Sequence, residues 1–260
     1  MTTVFIRELW IYPVKSLGGV RVDTARITSA GSLELDREWL VVDAENRMVW
    51  QGDIPRMTLM RVALADDTLT LSLAGMPDLS VRRDHDGPSV DLIMYKRNFI
   101  GIDAGETAAA WLTEALGAPL RLVRIGDAAH RWDGLNPVHV LSDASLTALN
   151  EALLAQGDET VVPMRFRPNV LLASPERPDP YFEEANAVLD FGDARIRLRE
   201  PCVRCELPNI SLIDASRGKQ PLKIIGRLSK DRSTAAPASF GTYCAAEGER
   251  LRTGMRATIQ

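Results

Sequence analysis

The chain has 260 residues, 45% of them apolar and 25% charged, with a formal net charge of −4. That is enough for one large domain or two closely packed ones, and the mild acidic balance gives no electrostatic case for nucleic-acid binding. No apolar run approaches the roughly 18 residues needed to cross a bilayer. Residues 1–8 lack the basic-then-apolar layout of a signal peptide, and three cysteines argue against a disulfide-stapled fold. Together these features predict a cytoplasmic protein with no membrane or nucleic-acid partner.

The first hundred residues read as short strands separated by turns. Glu38–Val42 and Arg47–Trp50 are rich in β-branched and aromatic residues and flank Asp43-Ala44-Glu45-Asn46, a good hairpin loop. Leu59–Ala65 and Thr68–Leu73 form a similar pair around Asp66-Asp67, and Asp91–Ile102 reads as a further strand region. Short strands joined by tight turns favour a barrel over a parallel sheet, which needs long crossovers.

Two helices stand out. Glu106–Leu116 is dense in helix formers and stops at Gly117. Asp143–Leu154 follows the capping residue Ser142, carries leucines at helical spacing and stops at Gly157. Between them, 118–140 shows few regular patterns, and a domain boundary is placed near residue 120. Further on, Val188–Phe191 and Ala194–Leu198 flank the turn signal Gly192-Asp193, and the second of these strands leads to Cys202 and Cys205.

The segment Glu200-Pro201-Cys202-Val203-Arg204-Cys205 holds two of the three cysteines, beside Arg199 and Arg204. Neighbouring cations favour the thiolate, the form that attacks electrophiles or binds soft metals. Four readings compete. The pair can be two small buried hydrophobes, although the segment is not apolar. Structural zinc would need four ligands, and only Cys244 and three scattered histidines remain. A redox dithiol would sit at the start of a helix, whereas this pair follows a hairpin. The fourth reading is one thiolate ligating a soft redox metal, with the other cysteine in support.

Other motifs carry positive charge. Tyr12-Pro13-Val14-Lys15-Ser16-Leu17-Gly18-Gly19 puts a lysine and a hydroxyl in a loop whose glycine amides can face an anion, unless it is an ordinary surface turn. Asp36-Arg37-Glu38-Trp39 precedes a strand. In Arg165-Phe166-Arg167-Pro168-Asn169 an extended backbone would project both arginines to one side, to bind a phosphate or to form a basic edge. Gln220-Pro221-Leu222-Lys223 and Phe240-Gly241-Thr242-Tyr243 follow.

In order, YPVKS, DREW, RFRPN, PCVRC and QPLK resemble the MOSC superfamily, and within it the group of amidoxime-reducing components and their bacterial relatives. The resemblance covers essentially the whole chain. It implies a mainly β fold with a few helices (α+β): an N-terminal MOSC-type β-barrel region over 1–120, packed on a β-barrel-like MOSC domain over 121–260. It also implies a molybdenum–pterin cofactor, with Cys205 as metal ligand and catalytic residue. Lys15, Ser16, Arg37, Arg167, Asn169, Arg204 and Tyr243 match the family's cofactor contacts.

The implied activity is reduction of small N-hydroxylated compounds such as hydroxylamines, amidoximes and N-hydroxylated bases. The cysteines needed for a C-terminal ferredoxin domain are lacking, so electrons are expected from a separate ferredoxin or flavoprotein reductase. The alternative is a protein that binds or carries the cofactor without turnover of its own. No carboxylate or histidine can be assigned as proton donor, although Asp133, Asp143 and Glu200 lie near the motifs in sequence.

Overall fold

The computed structural model describes residues 2–176, 178–232 and 236–259. Seven strands close into a barrel. Thr2–Ile11 pairs antiparallel with Val170–Ala173, which runs parallel to Val138–Ser142. The ring continues through Ser239–Gly248, Ala194–Val203, Val188–Asp190 and Arg256–Ile259, which returns to Thr2–Ile11. Val4, Ile6, Val140, Leu172, Ile196, Leu198 and Ala246 are buried together in its core. The first strand of the chain is thus one stave of a ring whose other six come from residues 138–259.

A second, smaller sheet runs Met48–Val49, Trp39–Val42, Arg121–Arg124, Arg97–Asp103, Ser89–Met94. A bridge between Arg47 and Ile93, with Ile93 N–H donating to Asn46 O at 2.9 Å, brings its two edges together. Trp39–Val42 is buried on both faces. Leu40 and Val42 pack with Leu92, Met94, Val123 and Ile125. Trp39 and Val41 pack on the opposite side, under helix α1 (Glu106–Leu116) and the three-stranded sheet Arg61–Ala65, Thr68–Ser72, Leu79–Arg82.

The helix boundaries follow their caps. α1 ends on Gly117, whose φ of 74° is free of Cβ strain and whose N–H reaches Thr113 O at 2.8 Å. In α2 (Asp143–Leu154) the Ser142 hydroxyl accepts from Ser145 N at 3.1 Å. A third helix, α3 (Leu222–Asp231), starts directly after Pro221, where the sequence offers only the short motif Gln220–Lys223. Among the described residues no helix is long and apolar enough to cross a membrane.

Two expectations change. Asp91–Ile102 is not one strand but a hairpin of Ser89–Met94 and Arg97–Asp103. It turns at Tyr95 and Lys96, with φ of 52° and 64°, and neither is the glycine or asparagine that usually marks such a turn. The segment before Asn169 is not extended: Pro163 opens a 3₁₀ turn over Pro163–Phe166 and Arg167 takes a left-handed conformation, so the alternation of an extended strand does not apply; of the two arginines only Arg167 lines the cofactor cleft.

A buried polar knot ties the barrel to α2. The Glu183 carboxylate is fully buried and accepts from Ser142 N (3.1 Å), Ser142 Oγ (2.8 Å) and Ser145 Oγ (3.0 Å). Glu183→Ala would leave these donors unpaired, and urea unfolding should show a loss of about 3 kcal/mol. Beside it, burial pushes the Glu184 carboxyl up to about 7, with Arg232 partly offsetting the shift. A raised carboxyl pKa means the folded state holds the proton more tightly, so this contribution is complete below about pH 4.3 and fades as pH rises through about 7. Wild-type stability should therefore fall across that window relative to Glu184→Gln, read by thermal melts.

Candidate functional site

A cleft of about 380 Å³ opens between the barrel and the smaller sheet. Seven of the side chains singled out in the sequence line it: Lys15, Ser16, Arg37, Arg167, Arg204, Cys205 and Tyr243. They come from five separated stretches of chain.

The Lys15 loop is set by close packing. Val14 bridges to Trp39, and Lys15 N–H donates to Trp39 O at 2.9 Å. A Cβ at Gly19 would stand 2.5 Å from the Tyr12 ring, and one at Gly18 would stand 2.8 Å from Met60 O. Gly18 N–H already donates to Met60 O at 3.0 Å, so that amide is not free to face an anion, contrary to the sequence expectation. The glycines admit neighbours, and Lys15 supplies the charge, its Nζ 4.7 Å from the centre of the Tyr95 ring.

Behind the loop, the fully buried Tyr12 ring lies beside two guanidiniums, with Arg167 Cζ at 4.2 Å and Arg37 Cζ at 5.2 Å. Arg37 pairs with buried Asp36, which also accepts from Tyr12 N at 2.7 Å. Burial works against the Arg37 charge, but Asp36 outweighs it and raises the guanidinium pKa. Arg167 has no such partner. Burial pushes it down to about 10, which leaves it cationic at neutral pH. It donates to Leu17 O, and its Nη2 is buried without a hydrogen-bond partner among the described residues.

Asn169 is placed differently from its neighbours in the motif. It is fully buried behind the cleft wall. Its Oδ1 accepts from His139 N (3.1 Å) and Arg37 Nη1 (3.3 Å), and its Nδ2 donates to Trp10 O at 3.1 Å. With those groups committed, its side chain braces Arg37.

The cysteine pair is divided between core and cleft. The pairing of Ala194–Val203 with Ser239–Gly248 slips twice, once between Leu198 and Glu200 and once between Pro201 and Val203. Pro201 is tolerated at such an irregularity, where ladder bonds are already missing. Cys202 is fully buried and accepts from Arg204 Nη1 at 2.8 Å, whereas Cys205 is exposed. Arg204 also donates to Phe166 O at 2.8 Å, and its Nε is a second buried atom without a partner. Cys244 is buried, and burial raises its thiol pKa.

Sequence reasoning missed several wall residues. His130 and His139 both line the cleft. Burial lowers both pKa values, that of His139 far below the ordinary range, so His139 is neutral at physiological pH. Gly241, with φ of 75°, is required beside it, since a Cβ there would lie 2.4 Å from His139 Nε2. A histidine inside the apolar run Val138–Ser142 gives no sequence signal beyond that of a core strand. Glu200 lies in the wall and accepts from Asn136 Nδ2 at 2.8 Å. Asp143 instead lies in the first turn of α2 and pairs with Arg7 at 2.6 Å, and Asp133 is not among the lining residues.

The arrangement gathers four cations and one exposed thiol in a single pocket, with Glu200 its only lining carboxylate among the described residues. Two buried guanidinium nitrogens of the lining residues, Arg167 Nη2 and Arg204 Nε, lack acceptors among the described residues. An anionic group with phosphate-type oxygens satisfies them. Among the described residues no cluster of three His, Cys, Asp or Glu could hold a metal. A metal at Cys205 must therefore bring its other ligands with it, so the residues present fit a metal carried on an anionic organic ligand. In cofactor-free protein one thiol should react rapidly with Ellman's reagent and all three after unfolding; Cys205→Ser should abolish the rapid phase.

Comparison with known proteins gives two family matches: the MOSC N-terminal beta barrel domain over residues 3–119 and the MOSC domain over 124–257. Mitochondrial amidoxime-reducing component 1 of Homo sapiens is 32% identical over 250 residues, covering 85% of this chain and 70% of that protein. Mitochondrial amidoxime reducing component 2 of Bos taurus is 28% identical over 276 residues, covering 93% and 79%. Molybdenum cofactor sulfurase of Danio rerio is 26% identical over 284 residues, covering 95% of this chain but 32% of that protein.

Proposed function

Since the chain belongs to the MOSC family, whose members are associated with the molybdenum cofactor, we propose that it is a reductase of N-hydroxylated compounds served by a separate electron donor. The observation that carries this reading is the pairing of an exposed Cys205 with unsatisfied, buried cationic donors in one cleft. When bound, the cofactor supplies a metal that cycles by two electrons.

The chain's own residues hold and orient it. Cys205 provides the single protein sulfur. Lys15, Arg167 and Arg204 offer charge and N–H groups to the anionic part, with Ser16 as a short polar contact. Arg37, fixed by Asp36 and Asn169, adds charge with little freedom to move. A rigid fork loses less entropy on binding than a flexible one. Tyr243 closes the opposite wall, its ring centre 5.9 Å from that of His139.

Reduction of an N–OH group breaks the N–O bond, consumes two electrons and two protons, and yields the N–H product and water. Glu200 is positioned by Asn136 Nδ2 to pass a proton into the cleft. Neutral His139 supplies no charge there, so its titration does not shape the profile near neutral pH.

Cys205→Ala, made in cofactor-competent cells, should lose molybdenum and turnover together, read by metal analysis and hydroxylamine consumption. Arg167→Ala should release the pterin about tenfold or more readily, the cost of one charged hydrogen bond. Glu200→Gln should keep its molybdenum but lose roughly 100-fold in kcat. Retention of molybdenum by Cys205→Ala would overturn the assignment.

The match to proteins named molybdenum cofactor sulfurase favours a second reading, in which the chain binds and hands on the cofactor. Turnover with a small-molecule reductant such as reduced methyl viologen separates the two. Tight cofactor binding without turnover, followed by transfer to an apo-enzyme, is the carrier's signature.

A further inference from the structure

α3 carries a charge pattern that the cleft does not use. Lys219, just before the helix, and Lys223, Arg227 and Lys230 within it are all exposed and follow one another at spacings of 4, 4 and 3. That spacing places them along one helix face. Ile224 and Ile225, on the other side, are buried with Leu149, Leu153 and Phe240. None of the four cations has an ion-pair partner among the described residues, whereas Arg82, Arg195, Arg197 and Arg250 on other surfaces do. Like charges one turn apart repel by about 0.2–0.5 kcal/mol per pair. Asp231, one turn beyond Arg227, is the helix's one carboxylate, so the stripe keeps a net positive charge in a chain of net charge −4 and contributes nothing to the core.

The stripe is joined to the cysteine segment. Beyond Cys205, Leu207–Asn209 forms a 3₁₀ turn. Asn209 O accepts from Gly218 N at 2.9 Å, and Asn209 Oδ1 accepts from Leu222 N at 3.0 Å, at the start of α3. Arg217 pairs with Glu206 at 3.1 Å, and Ile210 bridges Arg217. At the tip of the intervening loop, Ile213 is 91% exposed. It lines a groove of about 810 Å³ that shares Arg167 and Leu207 with the cofactor cleft.

We propose that Ile213 and the basic face of α3 form the docking surface for an acidic one-electron carrier protein of the ferredoxin class. The proposal rests on the reductase reading, because it supplies the partner that reading requires. Charge complementarity selects an acidic surface and speeds encounter, and the exposed apolar tip adds one apolar contact to a small, salt-sensitive interface. A bilayer fits less well, since the apolar side of α3 is already spent on the core and no face remains to insert. Each carrier delivers one electron, so two encounters with two protons reduce one N–OH group to N–H and water.

The test is Lys223→Glu/Arg227→Glu/Lys230→Glu in the holoprotein. These positions are exposed, glutamate suits a helix, and none of the three residues lines the cleft. With reduced plant-type ferredoxin as donor, kcat/KM should fall about tenfold or more, and the wild-type decline with rising salt should flatten. Molybdenum content and turnover with reduced methyl viologen should stay within about twofold, a change worth only ~0.4 kcal/mol.

A titration of ¹⁵N-labelled ferredoxin reads binding without turnover. The wild type should bind with salt-dependent affinity, and the variant about tenfold more weakly. Equal affinity of both proteins for ferredoxin overturns the docking surface. Tighter wild-type binding to vesicles of phosphatidylserine and phosphatidylcholine, or to a DNA oligonucleotide, overturns it as well. If methyl viologen supports no wild-type turnover, the reductase reading fails, while the titration still decides the surface.

Discussion

The site depends on how buried positive charge is tolerated around one aromatic ring. Tyr12 sits between Arg37 and Arg167 with its hydroxyl donating to Pro168 O at 3.2 Å. Two guanidiniums so placed repel each other, and only Arg37 has a carboxylate, Asp36, beside it. The ring faces recover part of the cost, since a desolvated cation–π contact contributes about 2 kcal/mol. The remainder is left as unmet positive potential at the cleft. A pocket built this way is more stable with an anion in it than without, so binding energy and folding energy are coupled there.

The same cluster joins the two parts of the fold. Tyr12 and Lys15 follow the first stave of the large barrel, Asp36 and Arg37 lead into the smaller sheet, and Arg167 precedes Val170–Ala173 of the large one. Asn169 ties them, touching Trp10, Arg37 and His139 at once. Displacing the barrel against the smaller sheet would separate charges from the groups that tolerate them. The cleft therefore inherits its geometry from an interface and not from a single loop.

Much of this was legible from residues alone. The helices Glu106–Leu116 and Asp143–Leu154 each carry one clear capping signal, Gly117 and Ser142, and both occur with those bounds. The hairpin at Asp66-Asp67 has alternating apolar flanks and forms as read. Lys15, Ser16, Arg37, Arg167, Arg204, Cys205 and Tyr243 line one cleft; each stands in a motif rich in charge, sulfur or aromatic surface, but their grouping as cofactor contacts comes from the family resemblance. The failures have physical causes. Tyr95 and Lys96 make a left-handed turn without the residues that advertise one, and Pro163 curls a segment that alternation alone would extend. His139 and Glu200 reach the cleft only through sheet register, which no single segment encodes.

The placement of Thr2–Ile11 also bears on how the molecule is made. Its neighbours in the ring are Val170–Ala173 on one side and Arg256–Ile259 on the other, from opposite parts of the sequence. During folding one edge of this strand stays unpaired until Arg256–Ile259 reaches it. Closure then has to overcome the loop entropy of all the residues between these two strands, which makes it slow compared with the local hairpins of the smaller sheet. The pocket's cations flank strands that this closure brings together, so capture of the cofactor follows the sealing of the barrel.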